Sequence, residues 1–401
     1  MDYKVLSKIK YANKQLYEIE KAQRQNSFDT ITLPINVNSN ASFVVPNFEI
    51  MKLIQDIYHL NTQLQKLKHN LPKAAIEFML DECLIKEIMI TNSIEGVSST
   101  RKEIADIINS KKGEEKKKRL IGMVRKYQML ISDKLDIDDY FTCQGLRNLY
   151  NDIVASEIPS KDQPDGHFFR KESVDVVSTT GKTKHRGLYP ENEIIDAVQN
   201  LGKIMNNEKI PGLIKIALIH YFIGYIHPFY DGNGRINRFI SSSLLRIKLG
   251  KIPATYLSYA IKDKISDYYD AFDICNDKNN CGDLTPFIIL FLEFVYDAVS
   301  SAHKNCAEYS NKLTYYGDIL SNSNKLNNEE FQVSFLLVQF KLFSPEQSFN
   351  ESDMINISKL SRYSIKNITK NLVNKGFPIM VSRSGREIIY SVDLDALESW
   401  S

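Results

Sequence analysis

The chain has 401 residues, 43% hydrophobic and 25% charged, a balance that excludes a wholly disordered or fibrous protein. Lys and Arg number 51 against 49 Asp and Glu, so no global basic excess advertises nucleic acid, although a local patch stays open. The 17 Gly and 12 Pro are too few for collagen or a long flexible stalk.

The start, Met1-Asp2-Tyr3-Lys4, lacks a basic stretch followed by an apolar run, so no secretory signal is expected. Residues 1–27 read as polar and partly helical. Thr30 to Val45 holds β-branched runs broken by Pro34 and an Asn/Ser turn, which predicts a short hairpin. Apolar residues recur at helical spacing from Phe48 to Leu67 and again from Lys73 to Thr91. The second helix runs out into the Ser/Thr/Gly-rich segment TNSIEGVSST. The charge run Lys111 to Arg119 reads as a solvated loop or exposed helix end.

Helical periodicity resumes over Leu120 to Ile131 and Leu146 to Ile153. From Val174 to Arg186, β-branched residues lead into a Thr-Gly-Lys turn, predicting a hairpin among helices. Helices return over Glu193 to Met205, Pro211 to Ile226, Gly234 to Leu249, Ile265 to Asn276 and Pro286 to His303. The greasiest stretch, Phe287 to Val299, carries Glu293 and Asp297 and is too short and too charged to span a bilayer, so no membrane partner is expected. The polar run Ser321 to Asn328 marks a domain boundary. Beyond it come an apolar helix, Phe331 to Phe343, two helices around a turn, Met354 to Leu360 and Ser361 to Asn374, and a hairpin, Met380 to Val392. That is the order of a winged helix.

The fold class is therefore mainly α, with boundaries expected at 1–72, 73–110, 120–305 and 325–401. Five cysteines, Cys83, Cys143, Cys275, Cys281 and Cys306, are odd in number and lack zinc spacing. They read as free thiols of a cytoplasmic protein.

The chemistry concentrates in residues 213–249. A helix that is apolar all round breaks at His227-Pro228, and a second begins at Gly234-Arg235. Pro228 restricts His227 to extended geometry. Phe229 points into the core and anchors the loop. The glycines and Asn233 tolerate positive φ and expose backbone N–H groups. Helix starts favour acids, yet this one carries Arg235 and Arg238, each costing about 0.3–1 kcal/mol against the macrodipole. A polyanion would offset that cost, so amide nest and arginines together form a phosphate site. Asp231 supplies a hard carboxylate of the kind that shares Mg²⁺ with phosphate oxygens. His227 can accept a proton near neutral pH. The pattern His-Pro-Phe-x-x-Gly-Asn-Gly-Arg-x-x-Arg would arise by chance in roughly one such chain in tens of millions.

HPFYDGNGRINR, His227 to Arg238, resembles the signature HxFx(D/E)GNGRxxR of Fic domain proteins at every defining position. The resemblance implies a helical Fic core with a β-hairpin flap, which transfers AMP from ATP to a hydroxyl side chain of a protein target, itself included. It implies His227 as general base and Asp231 as the Mg²⁺ ligand. Gly232, Asn233 and Gly234 would contact phosphates, and Arg235 and Arg238 would bind the outer ones. The hairpin, with Thr179, Thr180, Gly181 and Lys182 at its turn, sits where the family's target-docking flap belongs. Thr91, Glu95 and Gly96 match the inhibitory (S/T)xxxE(G/N) pattern, with Glu95 expected on Arg238 in place of the γ-phosphate. Tyr268 and Tyr269 lie where the family often has an aromatic near the adenine, with core packing expected for at least one. The same site could instead remove AMP, with Glu95 orienting water. A third reading is a DNA-binding regulator, with Arg362, Lys366 and Lys370 as a basic stripe and Arg383 and Arg386 on the wing. Acids nearly cancel the tail's charge, and it could serve homodimerisation or target docking instead.

Overall fold

The computed structural model describes residues 3–110, 119–132, 134–177, 183–343, 348–385 and 387–400. Helices dominate, with three small antiparallel sheets among the described residues. Two compact units divide the chain: Met1–Asn61 with Cys83–Ala302, and Thr62–Glu82 with His303–Ser401. These limits differ from boundaries drawn on composition because the helices Phe48–His69, Lys73–Ile94 and Thr285–Asn322 run unbroken through the points of division.

At the heart of the first unit, Gly212–Ile226 buries every residue from Leu213 onward except Lys215 and Gly224. It packs against Asn233–Leu249. His220 ties three helices together. Its ring pairs with Ser241 Oγ at 2.7 Å and with the Tyr268 hydroxyl of Ile265–Asn276 at 3.0 Å. Burial, then Arg238, holds this imidazole down to about 3, so it is a neutral core histidine.

The N-terminal hairpin pairs Ile31–Val37 with Asn40–Val44. Its turn residues Asn38 and Ser39 take positive φ, the left-handed pair that a two-residue hairpin needs. The Asn38 amide N–H donates to the Tyr225 hydroxyl at 3.0 Å, and its side chain donates to Asn276 O. A second hairpin pairs Asp175–Val177 with Thr183–Arg186. The helix Arg101–Ile108 was not expected; its signal is the Thr100-x-x-Glu103 start, where Thr100 Oγ1 accepts the Glu103 N–H at 3.2 Å. Of the charge run, Lys111 to Lys118 lie outside the described residues.

The apolar helix expected over Pro286 to His303 extends over Thr285–Asn322. By length and composition it is long enough and apolar enough to cross a membrane, and 72% of its most apolar window is buried in the protein.

In the second unit, helices Asn328–Phe343, Glu351–Ser358 and Arg362–Asn374 accompany a three-stranded sheet with Glu387–Val392 at its centre. Val333, Leu337, Phe340, Ile365, Leu372 and Tyr390 form its core. Ser361 caps Arg362–Asn374 by accepting the Ser364 N–H at 3.0 Å. Arg386 lies outside the described residues.

Candidate active site

The core helix ends in a left-handed residue. His227 has φ 50° and ψ 62°, and its N–H donates to Ile223 O at 3.0 Å. The extended geometry expected from Pro228 is not adopted. A left-handed C-terminal residue also avoids the right-handed region that proline disfavours, and it satisfies a terminal carbonyl as well.

The loop that follows is pinned from both sides. Phe229 is fully buried and stacks on Tyr150 with centroids 4.2 Å apart. Asn233 bridges the loop: its Oδ1 accepts the Phe229 N–H at 3.0 Å, and its Nδ2 donates to Phe229 O at 2.8 Å. The Asn233 side chain thus shapes the loop rather than standing free. Gly232 has φ 84°, and a Cβ there would lie 2.8 Å from Val154 Cγ2. Asp231 is exposed, with Oδ1 accepting the Gly232 N–H.

Both arginines are already offset by carboxylates. Arg235 Nη1 donates to Glu157 Oε2 at 3.0 Å, with both side chains buried. Arg235 therefore lies away from the cavity lining described below. Arg238 donates from Nε to Thr91 Oγ1 at 2.7 Å and from Nη2 to Thr91 O at 3.0 Å and Glu95 Oε1 at 2.8 Å. Glu95 directly follows the end of Lys73–Ile94, and Thr91 sits in the last turn of that helix. One turn earlier, Glu87 seats that helix by accepting the Ser258 N–H at 3.1 Å and its Oγ–H at 2.5 Å. Gly96 closes the helix with φ 71°. The helix start that looked free for a polyanion is thus occupied by acids of its own chain.

A cavity of about 260 Å³ opens beside Arg238. Its lining includes His227, Asn233, Gly234, Glu95, Tyr268 and Tyr269. Tyr268 is buried and held by His220, whereas Tyr269 is only half-buried. Two residues not foreseen complete the wall. Asn237 Oδ1 and Asn276 Nδ2 are buried without hydrogen-bond partners among the described residues, and both residues line the cavity. An acceptor, a donor and two phenol rings suit a planar heterocycle.

Burial, helped by Arg170 and His185, holds the His227 imidazole down to about 3, so it is neutral at physiological pH with its lone pair available. On the hairpin, His185 Nε2 lies 2.7 Å from Tyr225 O, which fixes that nitrogen as the donor. Thr179, Thr180, Gly181 and Lys182 lie outside the described residues.

Residues 140–245 match the Fic/DOC family model. This stretch is similar to Fic/DOC domains. Over 94 residues the chain is 34% identical to the protein adenylyltransferase Fic of Drosophila erecta, covering 23% of this chain and 17% of that one. Over 118 residues it is 30% identical to the protein of the same name from Nematostella vectensis, covering 27% and 26%. The match spans about a quarter or less of these relatives' length. The fold is similar to a Fic family protein from Desulfovibrio desulfuricans G20, with TM-score 0.54, 17% identity, and 90% and 98% of the two chains covered.

Proposed function

We propose that this Fic-domain protein is a protein adenylyltransferase held back by Glu95. The observation that carries the reading is one cavity bordered by the neutral His227 imidazole, the start of the motif helix and the Glu95–Arg238 pair. ATP would seat its base by Tyr269, Asn237 and Asn276, and its phosphates at Asn233, Gly234 and Arg238. His227 takes the proton of a target Ser, Thr or Tyr hydroxyl. The oxygen attacks the α-phosphorus, the bond to the bridging oxygen breaks, and pyrophosphate leaves. Glu95 on Arg238 takes the place of an outer phosphate, so ATP enters with its α-phosphorus misaimed, which costs rate steeply.

Among the described residues, no three or more His, Cys, Asp or Glu side chains gather as a metal cage. One exposed carboxylate beside loop amides, Asp231, fits Mg²⁺, which takes most ligands from phosphate and water. When bound, Mg²⁺ neutralises charge on the phosphates. Arg235 would reach a phosphate only by exchanging Glu157 for it.

Glu95 borders the cavity as a carboxylate able to orient water, and this favours AMP removal as a second activity of the site. Offering AMP-modified protein to the parent and to Glu95→Gln separates the two, because only removal requires the carboxylate. We read the second unit's tail as a winged helix from its order of elements. Its basic stripe is weakened by the Arg362–Glu351 pair at 3.0 Å, which lowers its fit to DNA phosphates. The test of the main reading is transfer of labelled AMP from ATP by Glu95→Gly. Absence of any labelled protein would refute it.

A further inference from the structure

Arg170 is fully buried, and among the described residues no carboxylate lies within ion-pair distance of it. A buried guanidinium without an acid is costly unless its N–H groups find acceptors. Here the acceptors are all main-chain carbonyls. Nε donates to His227 O at 2.9 Å and Nη1 to Glu172 O at 2.5 Å. Nη2 donates to Leu188 O at 2.7 Å and to Ile226 O at 3.5 Å. Its own amide N–H donates to Pro228 O at 3.3 Å.

The location of these carbonyls gives the contact its meaning. Ile226 and His227 are the end of the core helix, where unpaired carbonyls and the negative end of the macrodipole gather. Glu172 and Leu188 lie on the two legs of the hairpin that contains Asp175–Val177 and Thr183–Arg186. One fork therefore joins the residue carrying the imidazole to both ends of the hairpin. The packing is close: a Cβ on Gly187 would lie 2.5 Å from Arg170 Nη2 and 3.0 Å from His227 Cβ.

We propose that Arg170 is the positioning residue of His227, fixing the left-handed main chain that aims the imidazole and tying that aim to the base of the hairpin. This rests on the reading of His227 as the base. Arg170 touches no reacting atom; it acts through the His227 carbonyl and through its fixed charge beside the ring. A lysine keeps the charge but is a point donor that cannot span four carbonyls. Arg170→Lys therefore separates geometry from charge. Gly187→Ala crowds the fork from outside and deletes no polar group.

The test uses the full chain in the Glu95→Gly background, with AMP transfer, equilibrium binding of a non-hydrolysable ATP analogue, and NMR titration of the histidine rings. The His227 signal is assigned by its loss in His227→Asn. Arg170→Lys and Gly187→Ala should bind the analogue as the parent does and lose transfer by on the order of 100-fold, the penalty of a misplaced group. Arg170→Met, which removes the cation, should in addition raise the His227 titration toward the ordinary imidazole range. Parent-like transfer by Arg170→Lys, or transfer and analogue binding falling together, would overturn the positioning role. If Arg170→Lys does not fold, Gly187→Ala carries the same comparison. If the Glu95→Gly parent transfers no AMP, the adenylyltransferase reading fails. The ring signals then decide alone: an unmoved His227 signal in Gly187→Ala and Arg170→Met sinks the role of Arg170.

Discussion

Glu95 and Gly234 compete for one spot: Glu95 Oε1 rests 2.8 Å from Arg238 Nη2, and a Cβ on Gly234 would come within 2.1 Å of that oxygen. In the proposed site, the glycine that would open the motif helix to a phosphate also lets the carboxylate in. Gly234→Ala should therefore break the Glu95–Arg238 contact without releasing activity, because the methyl group occupies the vacated place. A structure of the variant and an AMP-transfer assay check this. Activity rising to the Glu95→Gly level would contradict it.

Thr91 holds the same arginine. Its hydroxyl accepts the buried Arg238 Nε–H at 2.7 Å. Thr91→Val leaves that donor unpaired and should cost about 1–3 kcal/mol in urea denaturation. Its AMP transfer should rise less than that of Glu95→Gly, since Glu95 stays on Arg238.

Glu157 holds a buried arginine that nothing in the motif pattern reveals as paired. Glu157→Ala strands the Arg235 cation and should destabilise the protein by about 3–5 kcal/mol. Chemical denaturation of the variant against the parent measures it, and a loss under about 1 kcal/mol would show that water solvates Arg235.

The His227 imidazole is depressed from 6.5 to about 3 by burial, Arg170 and His185. Below pH 6.5 the unfolded chain takes up a proton that the folded one refuses, so stability falls as pH drops toward 3. His227→Asn should remove the share of this sensitivity that comes from His227, leaving that of the equally depressed His220. Its stability relative to the parent should improve by up to about 1.4 kcal/mol per pH unit between pH 6 and 4. For the same reason, AMP transfer by Glu95→Gly should show no loss from protonation of the base between pH 8 and 6. A limb near 6.5 assigned to His227 would contradict its burial.

Periodicity made the main helices legible because each long element has one buried face, and both N-terminal and central hairpins announced themselves through β-branched runs and turn residues. The motif from His227 to Arg238 was legible because its glycines, asparagine and arginines must sit in one short stretch. What escaped were partners distant in sequence. Arg170, Glu157 and Asn276 are ordinary residues in the chain, and only the fold brings them to the break, the helix start and the cavity wall; Asn237 lies inside the motif, but at a position the pattern leaves unspecified. The conformation of His227 escaped for a different reason. The proline rule speaks of one neighbour, whereas the helix end also had a carbonyl to satisfy, and the left-handed form met both demands.

The most direct measurement is intact-mass spectrometry with α-labelled ATP and Mg²⁺ on three full-length proteins: the parent, Glu95→Gly, and Glu95→Gly with His227→Ala. The predicted result is little AMP on the parent, abundant AMP on Glu95→Gly or on an added protein acceptor, and none with the histidine removed. Equal AMP on the second and third proteins would contradict the role of His227, and with it the site described above.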